Sequence, residues 1–455
     1  VIIILHSLQQ NKYMKGTLFQ AGIIGTLVLS IVIAVLIFSG VIKLPGAKNS
    51  VQYSGTVTIW GTVRAEKMAE IIEAVNNQTK TYQVLYQEKD AATFEIDLVQ
   101  ALASQKGPDI LIVQPSMIIK QNDKFEVTPF KSFSERDFKD LYVDIANLFL
   151  SPEGILAFPI SVDPMVLYYN KDIFNREAIA IPPATWNELI ELAPRLSEVS
   201  PDGTLIKSMI ALGEFDNVTH AKDIVALLAL QLGNPIVESK KTNSDDGVIT
   251  QYKSVFNMSN EQGVQVGDSV LRFYTSFSDP AKDTYTWNKN IPDSQTQFIA
   301  GKIPFYIGYA SEYTAIAEKN PNLSFDITRI PQIKDYPTKT TIGSLLGVAI
   351  LTSSKNKGAA FDTTQYLTSS EYAPFIVEQL GTAPARRDLL SVKQSDSYNS
   401  VVYPSAIIAK SWFDPDQEKT AVIFKKMITG VVSGRYSIRE AVNDFVQNLQ
   451  DMLPS

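Results

Sequence analysis

Thr56-Val57-Thr58-Ile59-Trp60 opens a stretch that closes at Asp109-Ile110-Leu111-Ile112-Val113, and the order of elements between them decides the fold. The first run is β-rich. Met68, Ile71, Ile72 and Val75 then recur at the i, i+3, i+4, i+7 spacing of one helix face. Tyr82 to Gln87 returns to strand character, Phe94 to Leu102 to helix, and Ile110 to Val113 is an unbroken apolar run. Strand, helix, strand, helix, strand predicts parallel strands joined by right-handed crossovers, because a parallel neighbour is reached only over a long connection. A strand as apolar as Ile110-Leu111-Ile112-Val113 needs helices on both faces of its sheet, so the fold class is α/β.

In open sheets of this kind a ligand sits beyond the carboxyl ends of the strands. That rule singles out Trp60 to Thr62, Gln87 and Glu88, and Gln114 to Ser116. Gln114 and Ser116 are polar residues ending a buried strand and are read as ligand contacts. Trp60, with Thr62 beside it, is either a contact or a core aromatic.

Length and composition bound the rest. At 455 residues the chain exceeds the size at which one hydrophobic core usually keeps growing, which predicts two lobes. Lys and Arg number 41 against 48 Asp and Glu, with no basic run, so the electrostatic footprint of nucleic-acid binding is missing. Cysteine is absent, which removes disulfides, thiolate metal sites and a lipid-bearing cysteine.

Membrane attachment would then have to be made of protein. Residues 19–42 carry no charge and are dominated by Ile, Leu, Val, Ala and Gly. As a helix they would span roughly 36 Å, enough for a ~30 Å hydrocarbon layer with some tilt. The run exceeds the roughly 7–15 apolar residues of a signal-peptide core and lacks a clear A-x-A site after it, so retention as an anchor is expected over cleavage or burial as a soluble helix. Lys12 and Lys15 place residues 1–18 in the cytoplasm and the bulk of the chain outside, with Pro45, Gly46, Asn49 and Ser50 marking a linker over 43–54.

Further on, Thr185 with Glu188 and Ser437 with Glu440 have capping-box spacing, which folding explains without a function. Asn243 to Gly247 reads as a polar loop without the spaced ligands of an EF-hand.

The segment Phe158-Pro159-Ile160-Ser161-Val162-Asp163, continuing through Leu167-Tyr168-Tyr169-Asn170-Lys171-Asp172-Ile173-Phe174 to Pro182-Pro183-Ala184-Thr185-Trp186-Asn187-Glu188-Leu189, resembles the family 1 extracellular solute-binding proteins. These are the sugar-binding receptors of ABC importers. Phe298-Ile299-Ala300-Gly301-Lys302 leading into Tyr306-Ile307-Gly308, and Gly343 to Ile350, agree in the expected order, so the resemblance covers about residues 55 to 450. It implies a class II periplasmic-binding-protein-like fold in which two α/β lobes joined by hinge crossovers close on a solute. The implied lobes are 55–161 with 331–380, and 162–330 with 381–455, the latter including the C-terminal helices. Crossovers are expected near Pro159 to Asp163, Ile330 to Gly343 and Glu378 to Pro384.

By position in those motifs, the resemblance also implies ligand contacts at Asp163 and Met165, Asp216 and Asn217, Gly308, Tyr309, Ser311, Glu312 and Trp412. Each has a structural alternative. Asp163 could cap the crossover, Asn217 could serve a turn, and Tyr309 could pack between lobes. A sugar is the expected solute, since its hydroxyls suit Asp, Asn and Gln and its C–H face suits Trp and Tyr. Ser311 and Tyr313 stand where maltose-type receptors place large aromatic platforms, which argues against a long malto-oligosaccharide.

The expected partners are the solute, ABC permease subunits and, through residues 19–42, a membrane; the chain is expected to be monomeric, with no cofactor and no metal. A sensing or adhesion module of the same fold is the alternative. Only two histidines, His6 and His220, are available for an enzyme, and hydrolase and phosphate-binding motifs are missing. A glycosidase would need only two carboxylates. Adjacent Tyr168 and Tyr169 do not favour ferric ion, because neighbours on a strand face opposite sides.

Overall fold

The computed structural model describes residues 53–244 and 247–454. The expected cytoplasmic tail, the apolar span 19–42 and nearly all of the linker lie outside the described residues. Among the described residues no helix is long and apolar enough to cross a membrane.

Five elements open the fold in the expected order: β1 (Thr56–Gly61), α1 (Ala65–Gln78), β2 (Gln83–Glu88), α2 (Phe94–Ala103) and β3 (Ile110–Val113). β1 pairs in parallel with both β2 and β3. All four residues of β3 are buried, and strand alternation explains how. Ile110 and Ile112 join Val57, Ile59 and the Met68, Ile71, Ile72, Val75 face of α1 in one cluster. Leu111 and Val113 point the other way, into a larger cluster with Phe94 and Leu98 of α2. Trp60 shares that second face, buried against the same cluster, with the Lys89 ammonium 3.7 Å from its ring centroid.

A short helix, α3 (Pro115–Lys120), leaves the end of β3, and the chain then enters β4 (Phe158–Asn170), thirteen residues long. This strand is shared by both halves of the molecule. Beyond it come α4 (Ala221–Gln231), the antiparallel hairpin β5 (Val237–Ser244) and β6 (Gly247–Ser254), β7 (Phe305–Tyr309), α5 (Glu312–Lys319), β8 (Phe325–Arg329) and β9 (Thr341–Ile350). Of the stretch read as a loop at Asn243 to Gly247, Asn243 and Ser244 end β5 and Gly247 opens β6 opposite Ser244, while Asp245 and Asp246 lie outside the described residues. β10 (Ala383–Pro384), β11 (Ala409–Lys410), α6 (Gln417–Val432) and α7 (Ile438–Gln450) complete the elements used below.

The main sheet is mixed. β9 lies between β3 and β4 and is antiparallel to both, so the parallel pairing that the opening stretch implies holds for β2, β1 and β3 and does not extend to β9 and β4; the short β11 is a parallel neighbour of β9 at its start. β4 changes partners along its length. Residues from Phe158 to Pro164 pair with β9, and Ser161 and Val162 with β10, whereas Met165 to Asn170 lie between β7 and β8. The exchange of neighbours between Pro164 and Met165 marks where one half gives way to the other. β9 does the reverse, pairing with β11 at Thr341 and Ile342, then with β4 from Gly343 and with β3 from Gly347.

Helix starts follow local chemistry. Ser437 and Glu440 form a reciprocal capping box at α7. At Thr185 the box is incomplete: its hydroxyl accepts from the Glu188 N–H, but the Glu188 carboxylate reaches the Ala184 N–H instead of that of Thr185.

Candidate functional site

A cavity of about 590 Å³ opens where the two halves of the sheet meet, a size usual for small-molecule sites. Its walls are element ends. Gln114, Pro115 and Ser116 come from the β3–α3 junction, Asp163 from the partner exchange in β4, and Tyr309, Ser311 and Glu312 from the β7–α5 turn. Thr219, His220, Lys222 and Asp223 enter at the start of α4; Ser344 comes from β9; Ser411, Trp412, Asp414 and Gln417 follow β11.

Asp163 is one of only two positions on the thirteen-residue β4 that are not fully buried. Its two carboxylate oxygens accept the Ser311 N–H at 3.1 Å and the Ser311 hydroxyl at 2.6 Å. Burial pushes its pKa up to about 7, and the Ser311 hydrogen bonds only partly offset that rise.

Glu312 organises the opposite wall. Its Oε1 accepts the Tyr309 N–H at 2.7 Å and lies 2.7 Å from His220 Nε2, while Oε2 accepts the Tyr306 hydroxyl at 2.5 Å and Gln295 Nε2 at 2.6 Å. Burial opposes ionisation of this carboxylate, but its contact with His220 and its other donors outweigh that and hold its pKa below the ordinary value. For His220 burial opposes the charge, yet the Glu312 carboxylate wins and raises the imidazole pKa. Burial raises the pKa of Asp223, which accepts the Tyr309 hydroxyl at 3.1 Å.

Local backbone geometry makes this cluster possible. Gly308 has no Cβ because one there would fall 2.5 Å from Tyr306 Cε1 and 2.9 Å from Glu312 Oε1. His220 sits in the left-handed region at φ 63°, turning the chain into α4 with its ring toward the cavity. Lys222 is held away from free solvent: its ammonium lies 2.5 Å from Asp414 and 2.8 Å from the Thr420 hydroxyl, and 5.6 Å from the Trp412 ring centroid. Gln114 reaches across the cavity, donating to the Ser344 hydroxyl at 3.3 Å and accepting from Gln417 at 3.4 Å.

Of the residues singled out in the sequence, Gln114, Ser116, Asp163, Tyr309, Ser311, Glu312 and Trp412 come together around this cavity. The others do not. Trp60 lies in the core because strand alternation turns it away from the strand end, and Thr62 is exposed elsewhere. Met165 is the first residue of β4 paired with β7 and is fully covered. Asp216 is exposed and pairs with Lys425. Asn217 serves the loop, donating to the carbonyls of Asn288 and Ile291, which positions the segment carrying Gln295. Gly308 lies beneath Glu312.

Sequence reasoning missed Thr219, Lys222, Asp223, Gln295 and Gln417. A signal for the first three existed: Thr219-His220 and Lys222-Asp223 stand directly before the apolar run Ile224 to Leu230. Gln295 carried none. Tyr168, the first of the adjacent tyrosines, is buried and donates to the carbonyls of Tyr309 and Ala310, while Tyr169 packs on Phe174.

Two α/β halves sharing β4 and β9, with a polar cavity at the exchange of strand partners, define a two-lobed binding-protein fold. The chain belongs to the bacterial extracellular solute-binding protein family, whose model matches residues 64–374. A curated binding protein of Brucella abortus is 23% identical over 300 residues, covering 64% of this chain and 66% of that protein, so the chain spans about two thirds of the length of the curated relatives it matches. A cyclo/maltodextrin-binding protein complexed with maltotetraose superposes with a TM-score of 0.67 at 15% identity, covering 87% of this chain and 96% of that one. The sugar-binding protein MalE from Xanthomonas citri gives 0.66 at 19% identity, covering 87% and 97%. At these identities the likeness is one of fold.

Proposed function

We propose that this protein is the carbohydrate receptor of an ABC importer, held outside the membrane by residues 19–42 and closing on its ligand at the β4 and β9 crossovers. The observation that carries the reading is the composition of the cavity. Carboxylates, amides and hydroxyls line it together with Trp412, the combination of directional hydrogen bonds and an aromatic group that a pyranose requires. The maltotetraose bound by one protein of the same fold, and the sugar-binding name of another, point the same way.

Both halves supply contacts, so a bound ligand adds free energy only when they are together, and closure is a population shift. Gln114 and Gln417 already approach each other across the gap, and Lys120 of α3 lies 3.8 Å from Asp416 at the start of α6. We assign the hinge to Asp163–Met165 and Thr341–Gly343, with lobe limits close to 55–161 with 331–380 and 162–330 with 381–455. No residue in this scheme makes or breaks a covalent bond. Delivery requires permease subunits and an ATPase elsewhere.

The test is thermal unfolding of the full chain against a panel of mono- and oligosaccharides, polyols and amino acids, since a ligand of the folded state alone raises its melting temperature. A carbohydrate-specific rise that Ser311→Ala or Gln114→Ala weakens is the expected result. A response confined to amino acids or polyols refutes the carbohydrate assignment.

A further inference from the structure

Another cavity, of about 480 Å³, shares no lining residue with the first. It is walled by α5, by the helix Ala373–Leu380 with the turn that follows it, and by the helix Ser397–Ile407. Tyr313, Tyr398 and Tyr403 bring three half-buried tyrosine rings to this wall. Tyr313 and Tyr398 meet edge to face with ring centroids 5.2 Å apart. The Tyr398 hydroxyl is fixed between the carbonyls of Ala310 and Gly381, at 2.8 and 2.7 Å, whereas the Tyr403 hydroxyl makes no hydrogen bond among the described residues.

The field here is negative. Glu378 lines the cavity, is exposed, and has no ion-pair partner among the described residues. Burial raises the pKa of the Tyr403 hydroxyl, and the carboxylates of Asp396 and Glu378 add to the rise. For Tyr398 burial again acts first, with Asp163, Tyr313 and Asp396 adding. Among the described residues that line the cavity there is no lysine, arginine or histidine. Thr382, 7% exposed, is also on this wall, and its hydroxyl oxygen is buried with no hydrogen-bond partner among the described residues. Buried hydroxyls are rarely left so.

We propose that this cavity is a second binding site, for a small alkylated ammonium ion that carries a hydroxyl group. The cation lies among the three tyrosines, whose rings attract positive charge most when its hydration is weak. Glu378 balances its charge, and its hydroxyl pairs with that of Thr382. A divalent metal ion would need several oxygen ligands, and Glu378 is the one carboxylate among the described lining residues. The inference does not depend on the carbohydrate reading of the first cavity.

The experiment is calorimetric titration of the full chain with choline chloride, with its uncharged carbon isostere 3,3-dimethylbutan-1-ol, and with sodium chloride. Choline is expected to bind, and the other two are not. Tyr403→Leu keeps apolar bulk but removes the ring, and should weaken choline binding ~5–10-fold, the scale of one cation–π contact. Tyr403→Phe keeps the ring and should bind as the wild type does. Glu378→Gln, at an exposed helix position, tests the site without touching the core and should weaken binding ~3-fold. Asp223→Asn, in the first cavity, should leave choline affinity unchanged. No binding of choline, equal binding of the isostere, or a loss confined to Asp223→Asn overturns the site, and each of these leaves the carbohydrate-receptor reading untouched.

Discussion

Asp163→Asn should make the free protein more stable at neutral pH while weakening ligand binding. The asparagine keeps the shape of the carboxylate, and its Oδ1 can still accept the Ser311 N–H while its Nδ2 donates to the Ser311 hydroxyl. What disappears is a charge whose folded-state pKa has risen from 3.8 to about 7 because burial disfavours ionisation. The sign follows from linkage: the unfolded chain releases this proton near 3.8 and the folded chain near 7. The penalty on folding is therefore absent below the lower value, grows as pH rises between them, and is constant above. About three pK units at 1.36 kcal/mol each set a ceiling of ~4 kcal/mol, and cleft water reduces this to an expected ~2 kcal/mol. His220, whose pKa the Glu312 carboxylate raises against the effect of burial, is present in both proteins and largely cancels in their difference. The assay is urea unfolding of wild type and variant from pH 4 to pH 8. A stability difference that does not change across that range, or a wild type more stable at pH 8, refutes the buried-charge argument.

Glu312→Ala deprives the Tyr306 hydroxyl, the Tyr309 N–H, Gln295 and His220 of a shared acceptor, and should cost ~3 kcal/mol in urea unfolding at pH 7; a loss below ~1 kcal/mol would mean that water replaces the carboxylate freely. Gly308→Ala should displace the Glu312 side chain and lower stability by ~1–3 kcal/mol through overpacking, seen as a lower melting temperature. Trp412→Phe retains most of the packing on Phe424 and should weaken carbohydrate binding more than it lowers stability, measured by titration and unfolding of the same samples. Residues 19–42 should keep the full chain in the membrane pellet after alkaline carbonate washing, and removal of residues 1–42 should release it.

Periodicity carried the first half of the fold well. The spacing of Met68, Ile71, Ile72 and Val75 and the unbroken apolar run at Ile110 to Val113 are local records of burial, because an element must show apolar residues wherever its neighbours cover it. Neither could reveal that β9, far along the chain, inserts antiparallel between β3 and β4, since pairing partners leave no mark in a strand's own pattern. Trp60 shows the same limit: whether a strand-end aromatic faces the core or the cleft depends on the register that α2 and β3 impose on it.

The sequence by itself determined the α/β class, the family resemblance and the exclusion of cysteine chemistry, because each rests on composition or on contiguous motifs. Only the tertiary structure decided which polar residues meet. Asp216 and Asn217 stay outside the cavity, which the chain reaches slightly later, at Thr219, His220, Lys222 and Asp223. Gln295 and Tyr306, on two different elements, both donate to the Glu312 carboxylate on a third. A site made of element ends is assembled by the packing of the elements behind it, and that information is spread over the whole core.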